Sequence, residues 1–213
     1  MNSQTFLNEA MKNEAFKDNE TFVAYANYLD KQILKGHKVN SVFVGRDAQR
    51  NKVYLAENEF RSQFYQKFPQ YFKKFDDISQ AQQMADDIVR SDWWKNRNYH
   101  SMYEGVKVRC MGENKTYLGT ARFGRIELSV KGMNNLILIH EICHCAGNMH
   151  HGIGFREAHI NLLKALYGDG PANLLKESYK NHELKFKRNE IKIMDPEQWL
   201  KAYRRAQVAR NHL

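Results

Sequence analysis

Two hydrophobic periods alternate along the chain and predict a mixed helical and β architecture. Phe6, Leu7, Ala10 and Met11, then Phe22, Tyr25, Ala26, Leu29 and Ile33, recur at three- and four-residue steps, so the chain opens with one or two helices ended by Gly36. From about Arg46 a further helix carries Val53, Ala56, Phe60 and Phe64 on its apolar face and stops at Pro69. Ser79 to Val89 forms the next, with Ile78, Ala81, Met84, Ala85 and Ile88 inward. Trp93 and Trp94 follow, either packing the linker or lining a groove; packing is the default for large aromatics. The period then falls to two in Val106–Cys110 and in Ile126–Val130, two strands separated by a polar turn region from Gly112 to Gly119. Leu136–Ile139 is apolar all round, as in a helix inside a domain, and Gly132 with Asn134-Asn135 supplies its start. Phe155, His159, Leu162, Leu163 and Leu166 return to helical spacing and end at Gly168. A short helix with Leu174, Leu175 and Tyr179 follows, Pro171 standing near its start. Leu184, Phe186, Ile191 and Ile193 suit a short hairpin or an extended arm, and Asp195-Pro-Glu-Gln198 begins a last helix.

The buried helix carries the candidate chemistry. It continues as His140-Glu141-Ile-Cys-His144, and residues four apart lie one above the other on a helix, so both imidazoles can grip one cation. Neutral imidazoles in this arrangement suit Zn²⁺, with Glu141 beside them as the base that takes a proton from the attacking water. Gly147 can end the helix and turn the chain back toward His150 and His151. Either histidine can complete a three-ligand site. His150 satisfies the spacing His-Glu-x-x-His-x-x-Gly-x-x-His of the metzincin zinc motif, although no Met-turn follows it. His151 opens the sequence His-Gly-Ile-Gly-Phe155 and is the favoured third ligand. No oxyanion partner is marked by a motif; Tyr117, Tyr167 and the arginines are the candidates.

His151-Gly152-Ile-Gly-Phe155 resembles the H-G-x-x-F element that supplies the third zinc ligand in SprT-like (Spartan-type) metalloproteases. Gly45-Arg-Asp-Ala-Gln-Arg50-Asn-Lys-Val-Tyr-Leu-Ala-Glu57 is in turn similar to the opening segment of a bacterial and phage family of inferred zinc metallohydrolases. In that family a tryptophan-containing linker, two strands, H-E-x-x-H and H-G-P-E-F follow in this order. Here they correspond to Trp93-Trp94, the two strands, His140–His144 and His151–Phe155, so the likeness covers about residues 45 to 168. The chain departs from it in having Gly-Ile-Gly after His151. The resemblance implies an α+β, zincin-like metalloprotease domain, mainly helical, with a small antiparallel or mixed sheet beside the metal helix. It further implies zinc-dependent hydrolysis, with His140, His144 and His151 holding zinc, Glu141 as catalytic base, and an edge strand over about residues 122–129 that pairs with an extended peptide.

Composition adds limits. The 213 residues contain three prolines and 12 glycines and are 27% charged, as expected of an ordinary globular chain that can bury a substantial core. The polar start, without an apolar stretch, predicts no signal peptide, and no run is long enough to cross a bilayer. Cys110, Cys143 and Cys145 are too few and too irregular for a disulfide framework, which predicts a reducing, cytoplasmic setting. Cys143 and Cys145 point to different helix faces, so core packing is expected of them before metal binding. Three segments follow: a helical extension over 1–40, the metallohydrolase domain over 41–179, and a tail over 180–213. The tail holds nine basic against four acidic residues, +5 of the chain's net +9. Lys201, Arg204, Arg205 and Arg210 on its last helix suit contact with DNA or another polyanion, or simply a solvated basic face. Three function classes stand at this point: a zinc metallopeptidase acting on protein or peptide, a zinc hydrolase of a non-peptide bond, and a non-catalytic binding module with a structural metal. No feature indicates an oligomeric state.

Overall fold

The computed structural model describes residues 38–42, 47–96, 105–111, 117–122, 124–146, 150–186 and 190–194. The expected helices of residues 1–37 and the last helix, with Lys201, Arg204, Arg205 and Arg210, lie outside the described residues. Within them the fold is mixed α+β and mostly helical. Its elements are β1 (Lys38–Val42), α1 (Arg50–Lys67), α2 (Ile78–Arg90), the single turn α3 (Asp92–Lys95), β2 (Lys107–Cys110), β3 (Gly119–Arg122) and β4 (Arg125–Leu128). They continue with α4 (Asn135–Cys145), α5 (Ile153–Tyr167), α6 (Asp169–Asn181) and β5 (Glu190–Met194).

The long helix α1 forms because Val53, Ala56, Glu57, Phe60 and Phe64 fall on one face and all are buried. It ends where Pro69 opens a 3₁₀ turn. Helix α2 is capped by Asp77, whose side chain accepts from the amides of Ser79 and Gln80 at 2.8 and 3.2 Å. Its inner face is Ala81, Ala85 and Ile88, with Ile78 and Met84 packed partly buried against the same core. Gln82 on α2 replaces a neighbouring strand for β2: its amide donates to the Val106 carbonyl at 2.8 Å and accepts from the Val108 amide at 2.7 Å. Trp94 is buried in the core, while Trp93 is half-buried against it.

The three-stranded sheet has the order β2-β4-β3, with β2 parallel and β3 antiparallel to β4. This corrects two expectations. The strand immediately before α4, β4, is central rather than an edge; the edges are β2 and β3, and β3 begins at Gly119, the end of the expected turn region. Gly119-Thr-Ala-Arg has no apolar alternation to signal a strand, and its pairing with β4 supplies the structure instead. Of the hairpin and the extended arm expected for Leu184, Phe186, Ile191 and Ile193, the described residues show neither strand of a hairpin pairing with the other. Leu184 is buried in the main core, and β5 pairs in parallel with β1, joining residues 38–42 to 190–194.

The chain crosses from β4 to α4 through a tight 3₁₀ turn at Val130–Gly132, where Ser129 accepts from the Gly132 amide. Gly132 lies against the Leu118 backbone so closely that an added Cβ would fall 1.8 Å from its carbonyl oxygen, and only glycine fits. Asn134 then caps α4, its side chain accepting from the Ile137 amide at 3.1 Å. Every residue of α4 is buried except His144, which is half-buried. Helix α5 stops at Gly168, whose φ of +82° favours glycine. No helix of the described residues is long and apolar enough to cross a membrane.

Because Trp94 is enclosed and Trp93 is not, Trp94→Ala should lower unfolding free energy by about 3–5 kcal/mol and Trp93→Ala by clearly less. Urea denaturation of the two variants measures this, and a loss for Trp94→Ala as small as that for a surface residue would contradict its enclosure.

Candidate metal centre

Three imidazoles converge at the C-terminal half of α4. His140 and His144 come from successive turns of that helix, and His151 enters from the segment just before α5. One nitrogen from each lies within 4.8 Å of the other two. The Nε2 atoms of His140 and His151 are 3.1 Å apart. Nitrogens held by one tetrahedral zinc at ~2.0–2.1 Å are roughly 3.3 Å apart, so the imidazoles already stand near the spacing a small cation requires. Phe155, one turn into α5, forms the floor: its ring centroid is 4.8, 4.5 and 4.8 Å from those of His140, His144 and His151.

The other nitrogens explain why the lone pairs point inward. His140 Nδ1 donates to Glu57 at 2.9–3.0 Å, and His151 Nδ1 donates to Asp47 at 2.6 Å. A carboxylate on Nδ1 fixes the tautomer and turns Nε2 into the ligand atom. Asp47 also accepts from the His151 amide at 3.2 Å, so one carboxylate orients both the ring and the backbone of this residue. Glu57 is buried beneath His140 and is further engaged by His159 Nδ1 at 3.3 Å and by the Tyr179 hydroxyl at 3.4 Å. Burial alone would raise its carboxyl, but His140 and His159 outweigh burial and hold it well below the usual carboxylate range.

The two facing imidazoles differ electrostatically. Burial disfavours the His140 cation, yet Glu57 and Glu141 prevail and raise its pKa. Burial and the neighbouring His140 lower that of His151 against the pull of Asp47. A hydrogen bond between the two Nε2 atoms needs one proton between them, and a cation bound there would take its place. Glu141 is buried next to this cluster without a hydrogen bond among the described residues. Burial, opposed by His140, pushes its carboxyl up to about 7. The space for it depends on β3, because a Cβ on Gly119 would sit 2.8 Å from Glu141 Oε1.

Of the two candidate third ligands, the structure brings His151 into the cluster. His150 is partly exposed and approaches Asp47 only at 3.9 Å. Cys143 and Cys145 are buried outside the histidine cluster, and burial pushes the Cys145 thiol well up, as suits core packing. Asp47, Glu57, His159 and Tyr179 were not singled out from the sequence as parts of the site. Arg156 was also missed. This buried guanidinium donates to the His151 carbonyl at 2.6 Å, the Gln49 side chain at 2.7 Å and the Lys185 carbonyl at 2.7 Å. It ties the start of α1, the third histidine and the segment after α6 into one knot. The Arg-Asp-x-Gln-Arg stretch thus has a structural meaning, since Asp47 holds the His151 ring and Gln49 holds the arginine beneath it.

No protein-family model matches the chain, and neither a curated protein nor a solved structure shows significant similarity to it. The residues themselves define what can be said: a buried three-histidine group, braced by carboxylates, able to hold a metal ion.

If the brace works as described, Asp47→Asn should weaken zinc binding about 10–100-fold, measured by competition with a chromophoric chelator. His151→Ala should weaken it further, and His150→Ala should leave it unchanged. A loss in His150→Ala as large as that in His151→Ala would contradict the ligand set.

Proposed function

We propose that this protein is a zinc-dependent hydrolase of zincin-like type, acting as a metallopeptidase. The observation that carries the proposal is the combination of three convergent imidazoles with a fourth buried group, Glu141, that is not engaged in bracing them. Among the described residues two groups of three could hold a metal ion, His140 with His144 and His151, and Glu57 with His140 and His159. Only the first lies beside Glu141 with a nitrogen of His140 not used by Glu57, and neither has a fourth member. Structural zinc sites close with four protein ligands, whereas catalytic sites keep a position open, so the donor set favours catalysis over a structural role. Imidazole nitrogen donors suit zinc, and the likeness of residues 45–168 to inferred zinc metallohydrolases supports the same choice.

Zinc bound by His140, His144 and His151 supplies Lewis-acid polarisation of a carbonyl and acidification of water. Glu141 takes the proton of the attacking water at its carboxylate and delivers it to the departing amine. A carboxyl poised near 7 in the metal-free chain shows how strongly its surroundings affect its proton affinity. Asp47 and Glu57 keep the imidazoles in the ligating tautomer throughout. The choice of a peptide bond is supported by β3. This edge strand runs beside Glu141, close contact at Gly119 marking the spot, and an extended peptide can add to such an edge by backbone hydrogen bonds. A non-peptide substrate would not use the strand.

The net charge of +9 suits an anionic partner, and recruitment to DNA through Lys201, Arg204, Arg205 and Arg210 is part of the proposal. Because Leu184 and the Lys185 carbonyl belong to the main body, truncation from residue 180 would damage the fold. Replacing those four basic residues by alanine is the cleaner test. Duplex-DNA affinity should fall and its salt dependence flatten; an unchanged slope would reduce the tail to surface charge.

For the hydrolase itself, Glu141→Gln should retain about one zinc per chain by mass spectrometry while casein cleavage falls at least about 10²-fold. His144→Ala should lose the metal and the cleavage together. Undiminished cleavage by Glu141→Gln would refute the assignment of the base, and absence of zinc uptake by the wild-type chain would refute the class.

A further inference from the structure

Resting on the hydrolase reading, we infer that the Tyr54 hydroxyl is the donor that meets the substrate carbonyl oxygen as it becomes an oxyanion. Tyr54 lies on α1 three residues before Glu57 and shares its helix face. Its ring stands edge-on to His151 with centroids 5.0 Å apart, and tilted to His140 at 6.0 Å. It therefore walls the side of the cluster formed by these two ligands. Unlike Glu57, it is 40% exposed, so it reaches from the imidazoles to the mouth of the site.

Several other donors nearby are engaged elsewhere, and His150, whose buried Nε2 has no partner among the described residues, lies outside the three-histidine group. His159 and Tyr179 serve Glu57, and Arg156 is occupied by two carbonyls and Gln49. Tyr167 accepts from the Asn135 side-chain amide at 2.7 Å and stacks on Tyr71, and Tyr117 is largely exposed; neither has a ring contact to the histidines among the described residues. The Tyr54 hydroxyl has no hydrogen-bond partner among the described residues. A tyrosine hydroxyl is a neutral phenol at neutral pH and has a proton to share.

The step balances without transfer of that proton. Water attacks the carbonyl carbon, a C–O bond forms, and the carbonyl π pair moves onto oxygen while Glu141 takes the water proton. Tyr54 donates a hydrogen bond to that oxygen. As the pair returns, the C–N bond breaks, its electrons go to nitrogen, and Glu141 protonates the amine; the tyrosine ends as it began. Donors placed for charge that develops only in the transition state act on kcat rather than on substrate binding.

Tyr54→Phe keeps the ring against His151 and removes only the hydroxyl. In the zinc-loaded full chain it should bind zinc as wild type does, yet cleave casein with kcat lowered about 10²–10³-fold and KM little changed. Calorimetry with acetohydroxamate, whose oxygens carry the developing charge in a stable form, should show weaker binding to the variant. Wild-type turnover and acetohydroxamate affinity in Tyr54→Phe would overturn the inference. Should zinc-loaded wild type cleave nothing, the peptidase reading fails instead. The acetohydroxamate comparison then still decides whether Tyr54 faces an oxygen anion at the site.

Discussion

The rest of the structure depends on a buried carboxylate. Glu57 is nearly inaccessible to water, and an unpaired charge there would cost several kcal/mol. It persists because His140 of α4, His159 of α5 and Tyr179 of α6 all direct polar hydrogens at it. Four helices with apolar faces can slide against one another at small cost; four helices that must satisfy one carboxylate cannot. The interaction thereby fixes the register of α1 against α4, α5 and α6, and with it the direction of the His140 lone pair. Packing supplies the stability, and this polar knot supplies the geometry.

A second carboxylate does the same for the third imidazole of the cluster. His151 is not on α4, and nothing in an H-E-x-x-H helix would bring it close. Asp47 accepts from both its ring and its amide, while Arg156 takes its carbonyl. Helix spacing thus places two ligands, and three hydrogen bonds from distant sequence place the third. Phe155 packs against all three rings, and the Nε2 atoms of His140 and His151 stand 3.1 Å apart.

This division explains what could be read from the chain and what could not. His140, Glu141 and His144 are legible because the helix itself sets their relation, and the apolar faces of α1, α2 and α5 are legible for the same reason. Asp47 and Glu57 lie 104 and 83 residues from the histidines they orient. Their local pattern offers only charged positions near a helix start, where a solvated face or pairing with neighbouring basic residues is the ordinary reading. His159 falls within an apolar stripe and reads as core, which it is, but its polar hydrogen is spent on Glu57. Strand β3 carries no alternation because its place is set by β4 and by the need for a side-chain-free position at Gly119. The parallel pairing of β1 with β5 joins segments about 150 residues apart, far beyond any local period.

The charge distribution bears on why a cation would suit the histidine cluster. The chain is strongly basic, yet Asp47, Glu57 and Glu141 gather around three imidazoles in its interior. With the imidazoles neutral, these carboxylates leave the cluster short of positive charge, and a proton on His140 makes up only part of it. A divalent ion placed among the Nε2 atoms supplies more and strengthens each brace, since a carboxylate pairs better with an imidazole that donates electron density to a metal. Glu141 is the member this accounting leaves over. It braces nothing, and β3 gives up a side chain at Gly119 to make room for it. A structural centre would gain stability by replacing it with an apolar residue. On the proposed hydrolase reading it is the base, which must stay free to exchange a proton while the groups around it are held still.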